Sequence, residues 1–130
     1  MPSPTATDVR AFIPARDFAT STRFYAALGW PTRQVADGLA LVQVAQAQHF
    51  YVQDYYLREV AENTMLHLTV EDAQAWYLRA REAIARDFPD ARVQPPKLQP
   101  YGAWVTFVHD PSGVLLHLCQ WQPPGAAHDG

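Results

Sequence analysis

The sequence predicts an α+β fold made of two tandem βαβββ modules, and three observations lead to it. The order strand, Asp, amphipathic helix, strands occurs twice, with the helix-opening acids Asp17 and Asp72 placed 55 residues apart. Strong helical periodicity is confined to two segments, too few helices to cover both faces of a doubly wound sheet. The chain has 130 residues, 48% hydrophobic and 18% charged, which suits one globular unit.

The elements follow in order. Residues 1–8 are rich in Pro, Ser and Thr and read as a loose arm. Val9 to Ala15 reads as a short strand ending near Pro14. Asp17 is placed to cap a helix whose inward positions are Ser21, Phe24, Tyr25 and Leu28. Gly29 stands where a left-handed cap is common, and Pro31 prevents continuation. "RQVADGLALVQV" reads as a strand, an Asp37-Gly38 turn and a strand; "AQHFYVQD" is a further strand. "YYLREVAENT" is a connecting segment with room for one helical turn. These elements make a first module, 9–60. The second, 61–122, opens with a strand from Met65 to Val70. A helix with Ala73, Trp76, Tyr77, Ala80 and Ile84 on one face follows and stops at Phe88-Pro89-Asp90. "RVQPPKLQP" is an extended Pro-rich link, and "GAWVTFVHDPSGVLLHLCQW" is a hairpin. Residues 123–130 form a tail.

Composition narrows the function. A net charge of −3 with only 10 Lys and Arg gives no basic stripe, so nucleic acid is not the expected partner. No apolar run is long enough to span a bilayer, so no membrane partner is expected. "MPSPTATDVR" lacks the charged and apolar regions of a signal peptide, and Cys119, the single cysteine, can form no intrachain disulfide. The expected location is the reducing cytoplasm. There is no Walker loop, Rossmann glycine pattern or nucleophile elbow. Cys119 lies in an apolar strand without a nearby cation to activate it. The sequence therefore assigns no catalytic residue and no cofactor.

The binding candidates come from strand alternation. If the hairpin turn spans Asp110–Gly113, His109 pairs with Val114, Thr106 with His117 and Trp104 with Cys119. Trp104, Thr106 and His117 then share a face with Val108, Leu115 and Cys119, leaving Val105, Phe107, Leu116 and Leu118 beneath the helices. The first set mixes aromatic, hydroxyl, imidazole and thiol groups, as ligand cavities do. The alternative is a Thr106–His117 pair satisfied inside a core. The same alternation selects Arg10 and Phe12 on the first strand, His49 and Tyr51 on "AQHFYVQD", and His67 beside Met65. Phe12, Tyr51 and Trp104 offer flat faces to a planar ligand, against ordinary core packing. His49 and His67 also read as merely exposed or partly packed imidazoles.

Two stretches, "FIPARDFATSTRFYAALGW" and "DPSGVLLHLCQ", resemble the opening and closing signatures of the vicinal-oxygen-chelate superfamily of glyoxalases, bleomycin-resistance proteins and extradiol dioxygenases. Pro14-x-Arg16-Asp17-Phe18, then Phe24-Tyr25, then Leu28-Gly29-Trp30 is closest to bleomycin-resistance-type members. "MLHLTVEDAQAWY" fits the start of the second module, so the matched segments span residues 9–122. The resemblance implies that each module curls into half a cup around a ligand cavity. It also implies a homodimer, with the arm carrying Pro2 and Pro4, or the hinge at Pro14, able to support strand exchange. In metal-dependent members four positions bind a divalent ion. The resemblance puts these at Arg10, Met65, Tyr51 and His117, of which only His117 has a ligand side chain. The expectation is a metal-independent protein that sequesters an aromatic or amphipathic small molecule in a dimer cavity. The rival is a metal-dependent lyase or dioxygenase using displaced ligands such as His67 or His49. A third reading is a housekeeping protein of unknown ligand with no antibiotic role.

Overall fold

A computed structural model describes residues 3–122. The start of the expected arm, with Pro2, and the expected tail at 123–130 lie outside the described residues. The first module comprises β1 (Phe12–Pro14), α1 (Phe18–Ala27), β2 (Thr32–Ala36), β3 (Leu39–Ala45) and β4 (Gln48–Gln53). A single helical turn, α2 (Arg58–Ala61), follows it. The second comprises β5 (Met65–Thr69), α3 (Ala73–Asp87), β6 (Arg92–Val93), β7 (Lys97–Gln99), β8 (Ala103–His109) and β9 (Leu115–Trp121).

The first sheet has the order β1-β4-β3-β2, and the second β5-β9-β8-β6 with β7 also on β8. Each opening strand runs parallel to the last strand of its module, and the other pairings are antiparallel. The Pro-rich segment is thus more than a link. Its two flanks pair with β8 as one edge strand, interrupted at Pro95-Pro96, where no backbone N–H is available for the ladder.

Both long helices begin as their sequences predict. The Asp17 carboxylate accepts from the Thr20 N–H and the Asp72 carboxylate from the Ala75 N–H, each at 3.0 Å. Gly29 adopts φ +97° just past the Leu28 cap, a conformation that favours glycine. The inward faces of the helices meet in one core shared by both modules. Phe24 and Tyr25 of α1 and its cap Leu28 lie in it with Phe50 and Val52 of β4, Ala80 of α3, and Leu116 and Leu118 of β9. Each sheet lays one face on this core and turns the other outward.

The hairpin between β8 and β9 departs from the expected register. His109 pairs with Leu115, Phe107 with His117, Thr106 with Leu118 and Trp104 with Gln120. The loop is one residue longer than predicted because of Asp110. Its buried carboxylate accepts from the Ser112 N–H (2.8 Å) and the Val114 N–H (3.0 Å), and the Tyr25 hydroxyl donates to it at 2.6 Å. Asp110 N–H also closes the loop on the Val114 carbonyl at 2.9 Å, and Val114 is buried in the core. Removing the Tyr25 donor with Tyr25→Phe leaves a buried carboxylate short of one charge-assisted hydrogen bond. The expected loss is about 2 kcal/mol of stability, read from urea denaturation; a loss within about 0.5 kcal/mol contradicts this role.

Candidate functional site

The centre of the outward face of the second sheet is built from alternate residues of three strands. His67 pairs with His117, and His117 pairs with Phe107, so the three side chains lie side by side across β5, β9 and β8. The imidazole of His117 is 6.2 Å from that of His67 and meets the Phe107 ring edge-on at 5.0 Å. Trp121 lies 5.9 Å from His67 and 5.6 Å from Tyr101, and its indole N–H donates to Thr69 Oγ1 at 3.4 Å. Met65 brings its sulfur within 3.4 Å of His117 Nε2. Val105 and Cys119 are fully buried on this same side. The face therefore joins an apolar floor to aromatic walls and two imidazoles. His67 and Thr69 also border a cleft of about 470 Å³ between the modules, whose other walls include Trp30, Gln48 and Trp76.

The outward face of the first sheet carries a second aromatic group. Phe12 and Tyr51 are register partners with ring centroids 4.9 Å apart. The Arg10 guanidinium stands 5.5 Å from the Tyr51 ring centroid, donates to its hydroxyl at 2.8 Å and pairs with Asp8 at 2.8 Å. Arg33, Leu41, Gln43 and His49 line a cavity of about 330 Å³ on this side.

The expected site residues divide accordingly. Arg10, Phe12, Tyr51 and His49 lie on the outward face of one sheet, and His67 and His117 on that of the other. Phe12 is 55% exposed, so it is not a core residue. Trp104 and Thr106 are corrected. The longer Asp110 loop rotates them to the helix side of β8. There Thr106 is wholly buried, with its hydroxyl donating to the Gln94 carbonyl at 2.5 Å. Trp104 lines a separate hollow with Asp72, Pro96 and Gln120. Phe107 takes the place expected of Thr106 opposite His117. Sequence reasoning put Phe107 beneath the helices and did not single out Trp121 or Tyr101; alternation along β9 carries the signal for Trp121, two residues beyond Cys119.

Electrostatics hold the His117 imidazole below its ordinary pKa, first through burial and then through the neighbouring His67. Burial, with Arg92 nearby, does the same to His109. Burial pushes the Cys119 thiol up, which disfavours the nucleophilic thiolate. The four positions at which the resemblance implies metal ligands fall into two pairs, Arg10 with Tyr51 and Met65 with His117. This set does not fit a divalent ion. The guanidinium is a permanent cation without an acceptor, the phenol oxygen already accepts from that guanidinium, and a thioether with one imidazole falls short of the three protein ligands common in catalytic sites. Among the described residues, no three His, Cys, Asp or Glu side chains gather.

No protein-family model matches the sequence, and no curated protein matches it significantly; the likeness lies in structure. A bleomycin resistance determinant encoded on the transposon Tn5 superposes with a TM-score of 0.72 at 24% identity, over 90% of this chain and 100% of the other. The bleomycin-binding protein from bleomycin-producing Streptomyces verticillus, complexed with copper(II)-bleomycin, gives 0.72 at 19% identity, over 92% and 100%. TnmS3, an antibiotic-binding protein from a Streptomyces species, gives the same four values. The chain thus has the fold of the bleomycin-resistance and glyoxalase proteins, as its sequence resemblance implies.

The lowered His117 pKa has a testable sign. In the window below the usual imidazole value of about 6.5 the unfolded chain binds more protons at this site than the folded chain. The contribution of His117 to stability is therefore present above that value and is lost as pH falls through its folded pKa. Two-dimensional NMR titration is expected to place His117 below an exposed histidine. His67→Asn should raise it only part of the way, because burial is the larger cause. A complete return to the ordinary value contradicts this order of causes.

Proposed function

We propose that this chain is a small-molecule-binding protein that holds an aromatic or amphipathic ligand, without a metal ion, against its outward sheet faces in a cavity closed by a second copy. The observation that carries the reading is the cluster of His67, Phe107, His117 and Trp121, four flat side chains on one face of the second sheet. Flat rings bind planar molecules by stacking, and an imidazole adds a hydrogen bond that fixes orientation. Sequestration needs no acid–base machinery.

Three solved proteins of this fold bind antibiotics or confer resistance to one. They support binding as the activity, although a shared fold does not by itself supply a function. Metal independence is favoured by the filling of the four positions with Arg10, Tyr51, Met65 and His117. The homodimer is favoured by the apolar side chains left uncovered on the outward faces: Phe12 is 55%, Met65 62% and Trp121 49% exposed in the single chain.

A thermal-shift screen of metabolites and antibiotics is expected to find compounds that raise Tm, because a ligand stabilises the native state by mass action. For such a compound, His117→Ala should cut affinity about tenfold or more while costing under about 1.5 kcal/mol of stability, since the side chain is only half-buried. Equal losses in both would make His117 a packing residue. Gel filtration with light scattering should give a dimer at micromolar concentration, and a monomer removes the shared cavity. Elemental analysis of protein purified without a metal-affinity tag should show less than one tenth of an equivalent of Ni, Zn, Mn or Fe per subunit. One equivalent would favour the lyase or dioxygenase reading.

A further inference from the structure

The distribution of charge over the two sheets is one-sided. The nine strands contain no Asp or Glu, yet they carry Arg33, Arg92 and Lys97 together with four of the five histidines, His49, His67, His109 and His117. The chain as a whole is acidic, with 13 Asp and Glu against 10 Lys and Arg. Its carboxylates therefore lie in caps, turns and helices, such as Asp17, Asp37, Asp72, Glu59, Glu62 and Glu82.

Register fixes which face the cations share. Across the first sheet, Phe12 pairs with Tyr51, Tyr51 with Leu41 and Leu41 with Arg33, so Arg33 projects on the side of the Phe12–Tyr51 ring pair. Across the second, Met65, Leu115, His109 and Arg92 form one such row, and Thr69, Cys119, Val105 and Lys97 another. Both outward faces thus combine rings with fixed cations. Among the described residues, Asp8 alone pairs with a cation of these faces, and its partner is Arg10. Arg33, Arg92 and Lys97 form no salt bridge among the described residues.

Edge-strand protection explains part of this, since Arg33, Arg92 and Lys97 all lie on sheet edges. A charge of either sign protects an edge, however. The low strand propensity of Asp and Glu adds to the exclusion of carboxylates, but neither effect accounts for the placing of Arg33 at a cavity. In the hollow of about 330 Å³, the Arg33 guanidinium, the His49 imidazole and the Gln43 amide surround Leu41. All three can donate hydrogen bonds, and only Arg33 carries a permanent charge. Adjacent strands lie about 4.8 Å apart, so the Arg33 backbone is about 10 Å from that of Tyr51. That separation suits a ring stacked on Phe12 and Tyr51 with an acid group reaching the Arg33 side chain.

We infer that the ligand is an aromatic molecule bearing a carboxylate or a comparable oxyanion, with Arg33 as the specificity-determining cation. The inference rests on the binding reading above and names its ligand class. A cationic ligand would meet unmatched guanidinium and ammonium groups on both faces, an arrangement that selects against it.

The test uses the full chain and three matched probes: 2-naphthoate, 2-naphthol and 2-naphthylmethylammonium, measured by isothermal titration calorimetry at low and at physiological salt. Naphthoate is expected to bind at least tenfold tighter than the ammonium compound, with the gap narrowing as salt rises. Arg33→Gln should weaken naphthoate five- to tenfold and naphthol less than twofold. Arg33 is exposed, so the variant is expected to fold with an unchanged Tm. An ammonium probe that binds as tightly as naphthoate overturns the anionic inference and leaves the binding reading standing. An Arg33→Gln variant that weakens naphthoate and naphthol alike overturns the role of Arg33. If none of the three probes binds at millimolar concentration, the ligand class is wrong, and the thermal-shift screen then decides the binding reading separately.

Discussion

The buried Asp110 carboxylate is the constraint on which the placement of His117 depends. A carboxylate excluded from water is costly unless its lone pairs are filled. Here two backbone N–H groups of its own loop and the Tyr25 hydroxyl of α1 fill them. Burial raises the Tyr25 pKa well above its ordinary value, so the phenol keeps its proton and donates; burial also raises Asp110, and the hydrogen bonds from Tyr25 and the loop N–H groups oppose that rise. Ser112 adds a second fastening, with its hydroxyl 3.1 Å from that of Ser21 and accepting from the Arg16 N–H at 2.9 Å. The turn of the second module is thereby held by the first helix of the chain. Val114 is drawn into the core, His109 closes on Leu115, and every later pair follows. His117 then faces outward beside Phe107 while Leu116 and Leu118 face the helices.

That arrangement separates two jobs between the two sides of each sheet. The inner sides supply one continuous core for both modules, and the outer side of the second sheet keeps only a small apolar floor, Val105 and Cys119 with Phe107 against it. Rings, imidazoles and fixed cations collect on the outer sides, whereas carboxylates stay in caps, turns and helices. In a fold that serves many chemistries, this division of residue types is what points to a ligand. The positions that could hold a metal are taken by groups that pair with one another: a guanidinium with a phenol, a thioether with an imidazole.

Much of the fold was legible because local and global signals agreed. Asp17 and Asp72 cap as their positions suggest, Gly29 has the positive φ its place demands, and Ser21, Phe24, Tyr25 and Leu28 are buried together. Parity along β4, β5 and β9 was also legible, since Phe50 and Val52, Leu66 and Leu68, and Leu116 and Leu118 are apolar pairs that must turn inward. β8 was not, because both of its faces are largely apolar. Trp104, Thr106 and Val108 compete with Val105, Phe107 and His109, and hydrophobicity does not choose between them. The choice belongs to the loop length, which depends on the contact between Asp110 and Tyr25, 85 residues apart. Thr106 misled for a related reason: its hydroxyl is satisfied by a distant carbonyl, so it behaves as a core residue. The edge strand broken at Pro95-Pro96 was hidden by the same two prolines that break it.

Chemical-shift mapping of the ¹⁵N-labelled protein with a compound that raises its Tm is the most direct measurement. Binding on the outward faces predicts the largest shifts at His67, Phe107, His117 and Cys119 in the second sheet, and at Phe12, Leu41 and Tyr51 in the first. Shifts confined to Asp72, Trp104 and Gln120, on the helix side of β8, would contradict it.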